Sequence, residues 1–134
     1  AGSAFAQDTT FNAVTSGSHA AISDELVVRS DGTSHVRVAV DLAYEANGGT
    51  AARTAAFKVA FAATSGGSLT DLFAEEAGSS CSGGTEPDVG TYMRAEATFT
   101  MPAANTDYYF KLLGRRSAGT GNMTFIGYGF TVRQ

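Results

Sequence analysis

His35-Val36-Arg37-Val38-Ala39-Val40-Asp41-Leu42-Ala43-Tyr44-Glu45 puts a large apolar residue at every second position and charged or small residues between them. A period of two marks a β-strand with one wet face, because successive side chains leave opposite sides of the pleat. The rhythm returns in Phe57-Lys58-Val59-Ala60-Phe61, in Met93-Arg94-Ala95-Glu96-Ala97-Thr98-Phe99-Thr100-Met101 and in Ile126-Gly127-Tyr128-Gly129-Phe130-Thr131-Val132-Arg133. The domain is therefore all-β. Its expected core is the apolar phase of these strands: Val36, Val38, Val40, Leu42, Phe57, Val59, Phe61, Phe99, Ile126, Tyr128 and Phe130.

Working outward, Thr9 to Thr15 reads as a first short strand with Phe11 as a core anchor, and Ala21 to Arg29 as a second. In the latter, Asp24 falls on the apolar face and suggests a bulge. Ser30-Asp31-Gly32-Thr33 is a turn signal, since Asp-Gly takes the positive φ angles of tight hairpins, so strands 21–29 and 35–46 are expected to pair. From Arg53 to Thr64 the alternation of Phe57, Val59, Phe61 and Ala63 outweighs the helical propensity of the neighbouring alanines. Ser68 to Glu76 carries the one helical pattern, with a Ser cap and Leu69, Leu72 and Phe73 on one face. Gly78 to Gly90 reads as a long surface loop. Strands are then expected at 91–101, 107–116 and 122–133, the last two joined as a hairpin through Ser117-Ala118-Gly119-Thr120-Gly121. About seven strands and no crossover helix predict a single antiparallel β-sandwich over 1–134, jelly-roll or immunoglobulin-like, with one short helix and an extended N-terminal arm over about 1–10.

Composition narrows the function classes. With 13 acidic and 9 basic residues the chain has a formal charge of −4, and its only local basic cluster is Arg115-Arg116. Nucleic-acid binding draws on a concentrated basic surface, so that class is set aside. No apolar run approaches the ~20 residues that span a bilayer as a helix, and Ala1 to Gln7 lacks the basic start and long apolar centre of a signal peptide. Only 16% of residues are charged, against roughly 25% in typical domains. Either the surface packs against neighbours, or small side chains occupy the outer strand faces. Cys81 is the one cysteine and forms no intramolecular disulfide.

No set of reactive residues accompanies the strands. Asp41, Glu45, Glu96 and His35 lie on the polar phase, where they read as a solvated face, and His19 sits in a Ser/Gly segment; two histidines without close spacing are not a metal signature. Cys81 lacks a motif that would build an oxyanion site around it. Gly119-Thr120-Gly121-Asn122 has neither the Lys nor the following helix of a phosphate loop. No catalytic, cofactor or metal residues are assigned. Among the tyrosines, Tyr44 and Tyr128 belong to the core phase, and Tyr108-Tyr109 puts one ring on each face of its strand, leaving little for a sugar-stacking platform.

From Thr98 to Gln134, the succession Thr98-Phe99-Thr100-Met101-Pro102, Asp107-Tyr108-Tyr109-Phe110-Lys111-Leu112-Leu113-Gly114 and Asn122-Met123-Thr124-Phe125-Ile126-Gly127-Tyr128-Gly129-Phe130-Thr131-Val132 resembles the closing strands of small β-sandwich modules on phage heads and tail fibres. That resemblance implies a non-enzymatic structural protein of a virion, such as a capsid decoration (cement) or fibre subunit. Its expected partners are further copies of itself and other structural proteins of the assembly, without cofactor, nucleic acid or membrane. The alternative is a carbohydrate-binding or adhesive module at a cell surface or outside the cell, with a cell-surface glycan as its partner.

Overall fold

Alternation in the sequence becomes alternation of burial: Val36, Val38, Val40, Leu42 and Tyr44 are buried, whereas Arg37 is exposed and Asp41 half-exposed. The computed structural model describes residues 5–8, 13–14, 17–30, 35–47, 52–77, 81–82, 92–100, 103–119 and 122–133. In chain order its strands are β1 (Phe5–Asp8), β2 (Ala13–Val14), β3 (Ala20–Ala21), β4 (Leu26–Arg29), β5 (His35–Asn47), β6 (Ala52–Ala62), β7 (Thr70–Asp71), β8 (Glu76–Ala77), β9 (Cys81–Ser82), β10 (Tyr92–Thr100), β11 (Asp107–Gly119) and β12 (Asn122–Arg133).

These strands form two antiparallel sheets. One has the order β1-β12-β5-β10, with β2 also on β12; the other has β3-β11-β6-β7, with β4 also on β11 and β8 and β9 on β6. Setting aside the two-residue strands, the chain alternates between sheets throughout: β1 in the first, β4 in the second, β5 in the first, β6 in the second, β10 in the first, β11 in the second, β12 in the first. Two facing sheets ordered β1-β12-β5-β10 and β4-β11-β6, with successive strands crossing from one to the other, have the arrangement of a jelly roll, one of the two architectures the sequence left open.

That order corrects two expected hairpins. Strands β4 and β5 do not pair; β4 lies on β11, and β5 lies between β12 and β10. The end of β4 is tied instead to the turn before β11, where Ser30 N donates to Thr106 O and Asn105 N to Ser30 O, both at 2.8 Å. Asn105 holds that turn at φ 53°, a left-handed conformation that Asn tolerates better than most residues. Strands β11 and β12 likewise face each other across the sandwich and do not pair as a hairpin.

The short helix expected at Ser68 to Glu76 is absent. In its place β7 and β8 pair with β6, and Leu72 N donates to Val59 O at 2.8 Å. Two turns of isolated helix are marginal in water, whereas here Leu72 and Phe73 pack against the core from the bend between β7 and β8, Phe73 edge-on to Phe57 at 6.1 Å. The first strand starts earlier than expected: Phe5–Asp8 and Ala13–Val14 both pair with β12, so part of the presumed arm belongs to the sheet. Phe11 lies outside the described residues. Cys81–Ser82, placed in the Gly78 to Gly90 loop by its composition, pairs with Ala52 and Arg53.

Of the expected core, Val36, Val38, Val40, Leu42, Phe57, Val59 and Phe130 are buried, and Phe61 and Phe99 pack against that cluster while partly exposed. The side chains of Ile126 and Tyr128 lie outside the described residues. A bulge between Gly127 and Gly129 changes the phase of β12: Phe130 and Val132 are buried beyond it, and Phe125 is buried before it. The extra residue shifts the side-chain register by one, so a single phase does not run through the strand. Phe99 of β10 ties the two sheets together, 4.4 Å from Phe61 and 5.9 Å from Phe110 between ring centres. Tyr108 is buried beside them with its hydroxyl accepting from Ala103 N at 3.0 Å.

The low charge content has a structural counterpart in β6. Its outward residues Ala56 and Ala60 are buried as fully as its inward Phe57 and Val59, and Ala62 is buried nearly as far. Register sets Arg115, Lys111 and Tyr109 directly opposite those alanines, and long side chains lying over methyl groups account for the burial.

Candidate functional site

A sandwich has four sheet edges, and their construction differs here. In the second sheet one side is cut into β7, β8 and β9, each two residues long, and the other into β3 and β4 with residues 22–25 between them. In the first sheet, β12 is flanked by the four residues of β1 and the two of β2. Strand β10 is different: nine consecutive residues pair with β5 from Tyr92↔Ala43 to Thr100↔His35 without a register shift. Among the described residues, no strand pairs with its other side.

An edge strand of that length presents a row of free backbone donors and acceptors, and soluble proteins normally blunt such rows with Lys, Pro, a bulge or an inward charge. Strand β10 carries two exposed charges of opposite sign, Arg94 and Glu96, but neither Lys nor Pro and no bulge, and its described inward side chains are Ala95, Ala97 and Phe99, all half-buried. Its outward side chains Arg94, Glu96, Thr98 and Thr100 are exposed. Arg37 Nε contacts Glu96 Oε1 at 2.8 Å, Arg94 Nη2 lies 3.9 Å from Glu96 Oε2, and Arg94 Nη1 lies 3.5 Å from Asp41 Oδ1. Every member is more than a third exposed, so each pair adds roughly 0–1 kcal/mol at most. The result is an ordered strip of alternating charge along the edge. Asp41 takes part in it from the polar phase of β5.

A second cluster spans the outer face of the other sheet. Arg115 donates from Nε and Nη2 to the two oxygens of Glu75, both at 2.7 Å, and from Nη1 to Gly17 O at 3.2 Å, while His19 Nε2 meets the same Glu75 carboxylate. The Arg115 hydrogen bonds hold the Glu75 carboxyl below its usual pKa against the opposing effect of burial, with His19 adding to the lowering; Arg115 is raised in return. Glu75 is thus held in its ionised form.

The sign for stability follows from the depressed Glu75 pKa. A carboxyl more acidic in the folded state stabilises the protein above its unfolded pKa, about 4.3 for glutamate, and that contribution is lost as pH falls toward the folded value. Chemical denaturation between pH 7 and pH 3 should therefore show a steeper acid loss in the wild type than in Glu75→Gln. Parallel curves would show that the pair does not couple to folding.

The other candidate groups remain apart. No group of three His, Cys, Asp or Glu residues able to hold a metal occurs among the described residues. Cys81 stands opposite Arg53 in the register, a neighbour its Ser/Gly surroundings in the sequence did not reveal, and Arg53 is itself buried and engaged. Tyr44 and Tyr108 are buried and Tyr109 half-buried; the side chains of Tyr92 and Tyr128 are outside the described residues. No helix among the described residues is long and apolar enough to cross a membrane.

No protein-family model matches the chain, and no curated protein matches it. Among solved structures it is similar to that of the infectious bursal disease virus Gx strain, with 10% identity and a TM-score of 0.49 over 98% of this chain and 32% of that one. It is also similar to the Clostridium thermocellum endo-1,4-β-D-xylanase 10B CBM22-1–GH10 modules complexed with xylohexaose, with 13% identity and a TM-score of 0.32 over 98% of this chain and 28% of that one. The chain spans about a third or less of the length of each.

Proposed function

We propose that this chain is a non-enzymatic structural subunit of a larger assembly, a capsid decoration (cement) or fibre protein of a phage virion. One observation carries the reading: an uninterrupted nine-residue edge, β10, on a sandwich whose other described edges are short or broken. A free strand of this kind is extended by another chain through main-chain hydrogen bonds. The likeness of Thr98 to Gln134 to phage head and fibre modules supplies the particular setting. Asp41, Glu96 and Glu75, the acids with described partners in the two clusters, are held in ion pairs on outer faces.

Mass spectrometry of purified particles of the source virus tests the reading. The chain is expected among the particle proteins in many copies per virion. Its absence from intact particles, while present in the infected cell, would overturn the virion assignment.

A further inference from the structure

Resting on the reading of β10 as an assembly edge, we infer that its partner is β10 of a second copy, paired antiparallel about a two-fold axis through Ala95. Such an axis, normal to the sheet, keeps outward residues opposite outward residues. Each admissible register therefore sets one residue opposite itself.

Charge selects among the registers. Centred on Arg94, the pairing would oppose two guanidinium groups; centred on Glu96, two carboxylates. Centred on Ala97 or Thr98, each charge would face a neutral position or fall beyond the strand end. Centred on Ala95, Arg94 of each copy faces Glu96 of the other, Met93 faces Ala97, and Tyr92 faces Thr98. Directly opposed unlike charges favour a strand pair and like charges disfavour it, so this is the register with two attractive pairs and no repulsive one.

The side chains are prepared for it. Arg94 and Glu96 already stand in line on the outer face, with side chains 61% and 37% exposed. On the inner side Ala95, Ala97 and Phe99 are half-buried at the seam between the sheets, where a neighbouring strand would cover them. Pairing joins the two first sheets into one, running β1-β12-β5-β10 and back through the second copy, as a closed isologous dimer.

Sedimentation velocity from micromolar to millimolar chain tests the register, with circular dichroism to verify folding. The wild type should reach dimer mass. Arg94→Glu sets a carboxylate opposite Glu96 of the other copy twice over, and Glu96→Arg sets two guanidinium pairs opposed; each should weaken dimerisation by at least about tenfold. An equimolar mixture of the two variants restores both attractive pairs and should dimerise as the wild type does. A wild type that stays monomeric, single variants that associate undiminished, or a mixture no tighter than its components would each overturn the inference. Presence of the chain in virions despite such a result would leave the subunit reading standing and move the contact elsewhere.

Discussion

Phe110→Ala is expected to cost about 3–5 kcal/mol of unfolding free energy. The ring is fully buried on β11, with ring centres 5.9 Å from Phe99 and 6.4 Å from Phe61, so it touches the contact that holds β10 to the facing sheet. Sheet backbones on both sides are fixed by long ladders and cannot close over the space left behind. Against a total of roughly 5–15 kcal/mol for a domain, that is about a third or more of the whole at the middle of the range. Urea denaturation reads it as a lower midpoint with an unchanged slope; a shift worth under about 1 kcal/mol would mean that Phe110 does not sit at the centre of the core.

Gly114→Val should destabilise by about 2–3 kcal/mol, although valine suits a strand better than glycine by up to ~1 kcal/mol. Packing decides the sign. A Cβ at Gly114 would lie 3.0 Å from Ile22 Cδ1 and Phe125 Cζ and 3.1 Å from Ile22 Cγ2, and valine adds two more carbons to space already filled from both sheets. Gly129 is the matched control, since a Cβ there meets nothing within 4 Å. Gly129→Ala should therefore change stability by no more than about 0.5 kcal/mol. Thermal melts of the two variants side by side check both; equal shifts would show that the sheets are not in close contact at Gly114.

How much of this was legible in the sequence depends on whether the property is local. Strand phase is local, and the burial of Val36, Val38, Val40 and Leu42 follows directly from their spacing. Topology is not. Asp31-Gly32 and Gly119-Thr120-Gly121 carry signals for chain reversal, and a reversal can lead into the same sheet or across to the facing one. The jelly roll takes the second course at both places, which is why β4 meets β11 in place of β5. Of the residues in the helical pattern at Ser68 to Glu76, Leu72 and Phe73 do pack against the core while Leu69 is exposed, and the backbone there pairs with β6 instead of closing helical turns. On β12 the glycines at 127 and 129 were visible, yet the phase change between them follows from the pairing with β5.

The candidate site was harder to see for the same reason. Met93 to Met101 reads as a strand whether it lies at the centre of a sheet or at its edge, since the sequence of one strand does not name its neighbours. Only the broken strands on the other edges make β10 stand out. Arg115, Glu75 and His19 belong to three separate segments, and nothing in their local spacing joins them.

Amide hydrogen exchange along β10, compared between dilute chain and concentrated or assembled chain, tests the central claim most directly. In the dilute protein, the alternate β10 amides that point away from β5 should exchange fast, because no described strand covers them. On assembly those amides should become protected from Tyr92 to Thr98, while the amides of β7 and β8 at the opposite sheet's edge keep their rates. Equal β10 rates in both states, with protection appearing on another edge or on an outer face, would contradict β10 as the strand through which this protein is joined to its neighbours.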